Sequence, residues 1–154
     1  SSSGTGVALI EAYDADASTA TSRFVNVSAR TEVGVGEGIL IAGFVIDGAL
    51  PKTVLIRGVG PGLIPLGLPG SAVLVDPQLR LFDGAGKLLQ ENNDWSGTSE
   101  LVAAFSRVGA FGLPGSASKD AALLVTLPPG GYTAQVSGVG ETGGVALIEV
   151  YEVP

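Results

Sequence analysis

Short segments rich in β-branched and large apolar residues follow one another along this chain, and each is bounded by Gly, Pro or Asp. Regularly spaced strands with such turn residues are typical of an all-β sandwich or barrel. Nine segments fit the pattern: 7–13, 23–31, 38–47, 53–57, 78–82, 87–91, 121–127, 132–137 and 145–151. We therefore predict an all-β fold, a jelly-roll-like β-sandwich of about nine strands.

Two of these segments are apolar at successive positions, which predicts strands buried on both faces. Residues 39–46 and 121–127 are therefore expected at the centre of their sheets. One segment, 99–108, has helical spacing, with Leu101, Phe105 and Val108 on one face and Thr98 or Ser99 as the N-cap. We expect this short helix to cover one end of the sandwich.

The chain carries one nine-residue phrase twice. Residues 6–14 read GVALIEAYD and residues 144–152 read GVALIEVYE, with seven of nine positions identical and an offset of 138 residues. The sequence thus divides into residues 1–16, which contain an additional copy of the closing strand, and a sandwich repeat over 17–154. Alternation along a strand predicts that Val7, Leu9, Glu11 and Tyr13 share one face.

One sheet normally has one position for a given strand, so the first copy is expected to contact another chain or to belong to an inter-repeat junction. Pairing within its own sandwich is the alternative. The residues expected to mediate assembly are the apolar and aromatic members of both copies: Val7, Leu9, Ile10, Tyr13, Val145, Leu147, Ile148 and Tyr151.

Composition argues against several classes of function. The chain has no Cys and no His, so Ser-His-Asp and Cys-His catalysis are excluded. Its eight Lys and Arg residues are scattered and the net charge is −7, which disfavours nucleic acid as a partner. Every apolar run is too short to insert in a membrane as a helix. Only 15% of the residues are charged, which predicts exposed apolar surface and favours assembly.

Three features have a functional and a structural interpretation. Asp83, Asn92 and Asp94 offer oxygen ligands for a weak calcium site, but such residues also form turns and helix caps, and we expect no cofactor and a fold that holds without metal. The glycine-rich stretch 57–62 suggests a phosphate loop, yet Pro61 removes a donor, so a crossover between sheets is favoured. Trp95 is either a sugar platform or a core residue.

Several phrases are similar to a known bacterial repeat. They are LIRGVGP at 55–61, DPQL at 76–79, NNDW at 92–95, DAALLVTLPPG at 120–130, YTAQVSG at 132–138 and the closing GVALIEVYE. Together they resemble a repeat of about 140 residues in large secreted or surface multidomain proteins of bacteria. The C-terminal half remotely resembles pre-peptidase C-terminal domains. Both resemblances imply an exported, accessory module without a catalytic role.

We therefore expect a non-enzymatic extracellular structural or adhesive module that assembles head-to-tail into a fibre or tandem array, through strand addition by residues 6–14. Its partners would be copies of itself or adjacent repeats. The alternative is a carbohydrate- or ligand-binding accessory domain of a secreted protein, with a glycan as partner.

Overall fold

The computed structural model describes residues 9–11 and 24–154. Within these residues, eight strands form two four-stranded antiparallel sheets. One sheet contains β1 (Asn26–Val33), β3 (Lys52–Val59), β6 (Ala121–Leu127) and β8 (Gly144–Glu152). The other contains β2 (Leu40–Ile46), β4 (Pro77–Asp83), β5 (Leu88–Asn92) and β7 (Gly130–Gly138). A helix, α1 (Ser99–Val108), and two 3₁₀ helices, Pro61–Leu66 and Val139–Glu141, accompany the sheets.

The strand order confirms the predicted jelly roll. It is β1-β8-β3-β6 in the first sheet and β2-β7-β4-β5 in the second, so consecutive strands change sheet everywhere except in the β4–β5 hairpin. Two four-stranded sheets connected in this way form the eight-stranded jelly roll. Asp83 closes the hairpin by accepting from the backbone N–H groups of Ala85 and Lys87, each at 2.9 Å.

The main core fills the space between the two sheets. It consists of alternate, inward-facing residues of both sheets, among them Val54 and Ile56 of β3, Leu79 and Leu81 of β4, and Ile148 of β8. Alternation places these side chains on one face of each strand. The period-two pattern of the sequence therefore produces this core directly.

A second apolar layer covers the outer face of the first sheet. Leu55 and Val59 of β3 pack there with Leu101 and Phe105 of α1 and with Trp95. The helix has the predicted bounds. The Thr98 side chain accepts from the Leu101 backbone N–H, and Gly109 ends the helix in the left-handed conformation. The helix lies on a sheet face, so the expectation that it covers an end of the sandwich is wrong.

Two predicted central strands lie at sheet edges. β2 is the edge of its sheet, with Ile41 and Val45 exposed, and β6 is the edge of the other sheet. The central strands β3 and β8 have the main core on one face and the second apolar layer on the other. The apolar runs at 39–46 and 121–127 were expected to be buried on both faces. The outer face of β2 is exposed instead, and the outer face of β6 is only partly covered by the second apolar layer.

The predicted strand at 7–13 lies mostly outside the described residues. Only Leu9, Ile10 and Glu11 are described, and these three are not in a strand. The other eight predicted strands are confirmed, with ends that differ by at most three residues.

Candidate assembly surface

The closing strand β8 is fully integrated in its own sheet. It pairs with β1 on one side, over Asn26↔Tyr151 to Val33↔Gly144, and with β3 on the other. Its inward-facing residues Ala146, Ile148 and Val150 are buried in the main core. Val145, Leu147 and Tyr151 face the outer layer. The predicted alternation of this phrase is therefore confirmed in its second copy.

A buried charge cluster anchors β8 to β3 on the outer face. Arg57 Nε donates to Glu149 Oε2 at 2.8 Å, and Arg57 Nη1 donates to the Phe111 carbonyl at 2.6 Å. Nη2 also lies 2.6 Å from Glu149 Oε2 but outside hydrogen-bond geometry. The Tyr151 hydroxyl donates to Glu149 Oε1 at 2.7 Å.

The surroundings of this cluster shift the titration of Tyr151. Burial, followed by its hydrogen bond to Glu149, raises the pKa of Tyr151 to about 12. The guanidinium of Arg57 also lies over the Phe105 and Phe111 rings, 4.8 and 4.2 Å from their centroids. The ionisable groups of the cluster thus contact one another and the core.

Four of the residues expected to mediate assembly lie in β8 and make their contacts within their own chain. Val145, Leu147, Ile148 and Tyr151 belong to a strand whose two backbone edges are both paired. They do not offer a free edge to another copy. In β8 the sequence GVALIE forms a central strand. One face of this strand packs on the main core, and the other lies under the second apolar layer.

The first copy of the phrase has a different environment where it is described. Leu9 is 80% exposed and Ile10 is 92% exposed. Their counterparts in β8 are Leu147, which packs against the outer layer, and Ile148, which is fully buried. Val7 and Tyr13, the other two expected assembly residues of this copy, lie outside the described residues. Ile148 is thus fully buried and Leu147 partly buried in β8, whereas their counterparts in the first copy are in solvent.

The edge of β1 that faces away from β8 pairs with no strand of the described residues, and the sandwich is open beside it. Register with β8 directs Val27, Ala29 and Thr31 toward the inside of the sandwich, yet all three are exposed. Directly across the sandwich, Ala42 and Phe44 of β2 are only half-buried. The interior layer is thus incomplete on this side.

The backbone of β1 also has a defined free side. The Glu152 N–H donates to the Val25 carbonyl at 2.9 Å, so residue 25 points toward β8. Alternate residues of an antiparallel strand point to opposite neighbours. The N–H and C=O groups of Asn26, Ser28, Arg30 and Glu32 therefore point away from β8, and no strand of the described residues pairs with them.

The calcium candidates are separated and engaged. Asp83 is the last residue of β4, whereas Asn92 pairs with Leu79 at the far end of that hairpin, roughly 13 Å along the strand at 3.3 Å per residue. Asn92 donates to the Asp94 carbonyl and accepts from the Ala122 N–H. Among the described residues, no group of three acidic side chains is arranged to hold a metal.

Asp94 has a cationic partner instead. Its carboxylate oxygens lie 3.0 and 3.2 Å from Lys119 Nζ. This hydrogen bond and the negative charges of Asp94 and Asp76 raise the pKa of Lys119 above its ordinary value. The pair is exposed, so its contribution to stability is small.

Backbone N–H groups of the glycine-rich stretch 57–62 bind a carboxyl group of the chain itself, the side chain of Asp120. Asp120 is fully buried, and its Oδ1 accepts from the N–H groups of Gly60 at 2.8 Å and Gly62 at 3.0 Å. The Ser118 hydroxyl donates to Oδ2 of the same carboxylate. These amides are therefore unavailable for a phosphate, and the stretch forms the crossover from β3 into the first 3₁₀ helix.

Trp95 is a core residue. It is 5% exposed, stacks on Phe105 with ring centroids 5.4 Å apart, and donates from Nε1 to the Gly115 carbonyl at 3.1 Å. A sugar platform needs an accessible aromatic face, and this ring does not provide one. The geometry thus gives no support to the carbohydrate-binding alternative at this position.

Sequence reasoning missed the inward-facing residues of β1. Val27, Ala29 and Thr31 alternate with polar residues like those of any half-buried strand. Their exposure follows from the position of β1 at an edge, which depends on strand order over the whole chain. The sequence feature that bears on this edge is the phrase that occurs at 6–14 and again, in β8, at 144–152.

Comparison with known proteins yields a likeness to a solved structure. No protein-family model and no curated protein matches the chain. The fold is similar to the solved structure of the pre-peptidase C-terminal domain of a collagenase from Bacillus anthracis, with 12% sequence identity and a TM-score of 0.48. The likeness covers 82% of this chain and 89% of that domain. It agrees with the remote resemblance seen in the sequence. The tandem repeat stays a prediction.

In the parts of the chain that the structure describes, no helix has the length and hydrophobicity needed to cross a membrane.

Proposed function

We propose that this chain is a non-enzymatic extracellular structural module that joins copies of itself head-to-tail through strand addition by residues 6–14. The observation that carries the proposal is the contrast between the two copies of one phrase. Ile148 is fully buried in β8, whereas Ile10, its counterpart, is 92% exposed. Moving apolar side chains of this size from water into a partner is favourable.

Residues 6–14 are identical to the central strand β8 at seven of nine positions, so they are suited to a strand that is covered on both of its faces. Leu9 and Glu11 have the character of the outer face of β8, and Ala8 and Ile10 that of its inner face. Main-chain hydrogen bonds then supply the affinity, as in other cases of strand addition, and the alternate side chains supply the register. The phrase therefore brings both components of a specific β-augmentation.

The connection to the sandwich is long enough for exchange between chains. Eleven residues, 15–25, separate the phrase from β1, and an extended segment of that length spans at most roughly 36–40 Å. In such an assembly, residues 6–14 of one copy contact a different surface of the next copy. This is a heterologous contact, which propagates as a filament unless it closes into a ring. Head-to-tail assembly follows from this asymmetry.

Three charged residues are buried in the part of the chain that the structure describes, and each has a structural partner, which supports a module without catalysis. The buried Arg57 and Glu149 bond each other, and the buried Asp120 is bonded by two amides and a hydroxyl. Catalytic carboxylates need access to a substrate, and these do not have it. The extracellular location is part of the proposal and rests on the resemblance to secreted and surface proteins.

Deleting residues 1–16 tests the proposal. The truncated chain should keep its sandwich, with a circular dichroism spectrum and Tm close to those of the full chain, but should form no fibres in negative-stain electron microscopy. The matched control deletes residues 1–5 and leaves the phrase intact, so it should assemble. Fibres of unchanged appearance from the 1–16 deletion would overturn the proposal.

A further inference from the structure

The geometry points to the free edge of β1 as the acceptor: we infer that residues 6–14 of a second copy add antiparallel to β1 in the register that β8 uses on the other side. This inference rests on the proposed function and names the surface that the strand occupies. β1 would then lie between two nearly identical strands, β8 of its own chain and the phrase 6–14 of its neighbour.

The register follows from the pairing already present. β8 places Ile148 opposite Ala29 and Val150 opposite Val27. Shifting by the 138-residue offset places Ile10 opposite Ala29 and Ala12 opposite Val27 on the free side. Side chains of paired strands share a face at each position. Ile10 and Ala12 would therefore point toward the inside of the sandwich, as Ile148 and Val150 do.

This placement completes the interior layer where it is open. Val27, Ala29 and Thr31 point inward but are exposed, and Phe44 of β2 is half-buried across from them. A strand beside β1 brings Ala8, Ile10 and Ala12 next to these residues. Its apolar side chains would cover the open side of the main core, and the exposed Ile10 would become buried.

The free backbone groups of β1 match those of an added strand. Ser28 and Arg30 point their N–H and C=O groups away from β8, and the incoming strand would supply a partner for each. On the outer face, Glu11 would lie opposite Ser28 and diagonal to Arg30, at the roughly 7–8 Å separation that long charged side chains bridge. Charge thus agrees with the register that the apolar residues require.

The other sheet edges fit the phrase less well. β5 is short, contains Glu91 and has an irregular register with β4, which are features that oppose strand addition. On β6, the outward N–H of Ala122 already donates to the Asn92 side chain, and inward-facing Ala121 and Leu127 are buried. β2 has buried inward residues at both ends, Leu40 and Ile46, and no pairing with a β8-like strand in this fold.

Disulfide trapping tests the edge and the register, because the natural chain has no Cys. Ala29 points its backbone to β8, so Ala29 and Ile10 would form a non-hydrogen-bonded pair with Cα atoms about 4.5 Å apart, within disulfide range. Two full-length variants, Ile10→Cys and Ala29→Cys, are mixed under conditions in which the wild type assembles and are then oxidised mildly. The expected product is a disulfide-linked dimer containing one chain of each kind.

Matched variants place the cysteine on the inner face of the other long edges. Ala42→Cys reports β2 and Leu123→Cys reports β6. Predominant cross-linking of Ile10→Cys to either, with fibres present, would overturn the β1 assignment and leave the proposed function standing. An intramolecular disulfide in the Ile10→Cys/Ala29→Cys double variant, without intermolecular product or wild-type fibres, would overturn both.

A backbone variant gives an independent readout. Ser28→Pro removes an N–H that faces away from β8, a position at which edge strands tolerate proline. We expect its critical concentration for assembly to rise at least about tenfold, because the added strand loses one backbone hydrogen bond and packs less closely beside the proline. The Tm should stay near that of Ser28→Ala. Assembly of Ser28→Pro equal to that of Ser28→Ala would overturn the inference.

Discussion

Arg57 and Glu149 lie directly opposite each other on β3 and β8, with Arg57 Nε 2.8 Å from Glu149 Oε2 and both side chains buried. The pair connects the two central strands of the first sheet. Through the Phe111 carbonyl it also joins that sheet to the layer outside it. A buried ion pair of this kind is costly to desolvate. Its contribution to stability is therefore measured by comparing variants that lack one partner with a variant that lacks both.

Removing one partner should destabilise the sandwich more than removing both. Arg57→Met leaves Glu149 buried without its cation, and breaking such a pair costs about 3–5 kcal/mol. The double variant Arg57→Met/Glu149→Leu has no unpaired charge and should recover much of that loss. Urea unfolding at neutral pH measures both. Equal free energies of unfolding for the single and double variants would show that charge pairing is unimportant here.

Tyr151 should make the stability of the protein fall at high pH. Its pKa is raised from 10.0 to about 12 in the folded chain, chiefly by burial. The folded state therefore keeps the phenol neutral where the unfolded state ionises. The resulting stability is complete below pH 10 and is lost as the pH rises through 12. The ultraviolet difference titration of the wild type against Tyr151→Phe should show a midpoint near 12, and a midpoint near 10 would contradict the assignment.

The fold could be predicted from the sequence largely because strand alternation and turn residues are local. The helix is confirmed at both ends because Thr98 supplies a cap and Gly109 adopts a positive φ of 71°. Asp83 and the glycines after it identified the β4–β5 turn, since a carboxylate that accepts from nearby amides needs only a short segment.

Edge and centre could not be predicted in the same way. The uninterrupted apolar run of β2 suggested double burial, but strand order leaves Ile41 and Val45 on an open face. Arg57, within a glycine-rich stretch, gave no indication of full burial, because its partner Glu149 is 92 residues away. These properties depend on which distant strands meet, and a local pattern does not contain that information.

Asp120 should be important for the crossover that follows β3. Asp120→Ala would leave the N–H groups of Gly60 and Gly62 without an acceptor, and each buried unsatisfied donor costs about 1–3 kcal/mol. Ser118→Ala removes only one hydroxyl donor to the same carboxylate and should cost less. Thermal unfolding of the two variants compares them. A larger loss for Ser118→Ala would contradict the central role of the carboxylate.

Trp95 should contribute to stability as a core residue. Trp95→Ala removes a buried ring that stacks on Phe105, and such truncations cost about 3–5 kcal/mol. Trp95→Phe keeps an aromatic ring but loses the bond to the Gly115 carbonyl, so its loss should be smaller. Denaturant unfolding followed by circular dichroism measures both. An alanine variant as stable as the wild type would return Trp95 to the candidates for ligand binding.

Gly60 should be intolerant of any side chain, for steric reasons alone. A Cβ at this position would clash with the Leu74 carbonyl oxygen. Gly60→Ala must therefore displace backbone, and overpacking of this kind costs about 1–3 kcal/mol or more. Gly112→Ala is the control, because a Cβ there meets no atom within 4 Å. Guanidinium unfolding should place Gly60→Ala well below the wild type and Gly112→Ala within about 0.5 kcal/mol of it. Equal stability of the two variants would mean that the crossover between β3 and β4 relaxes freely, contrary to its tight bonding to Asp120.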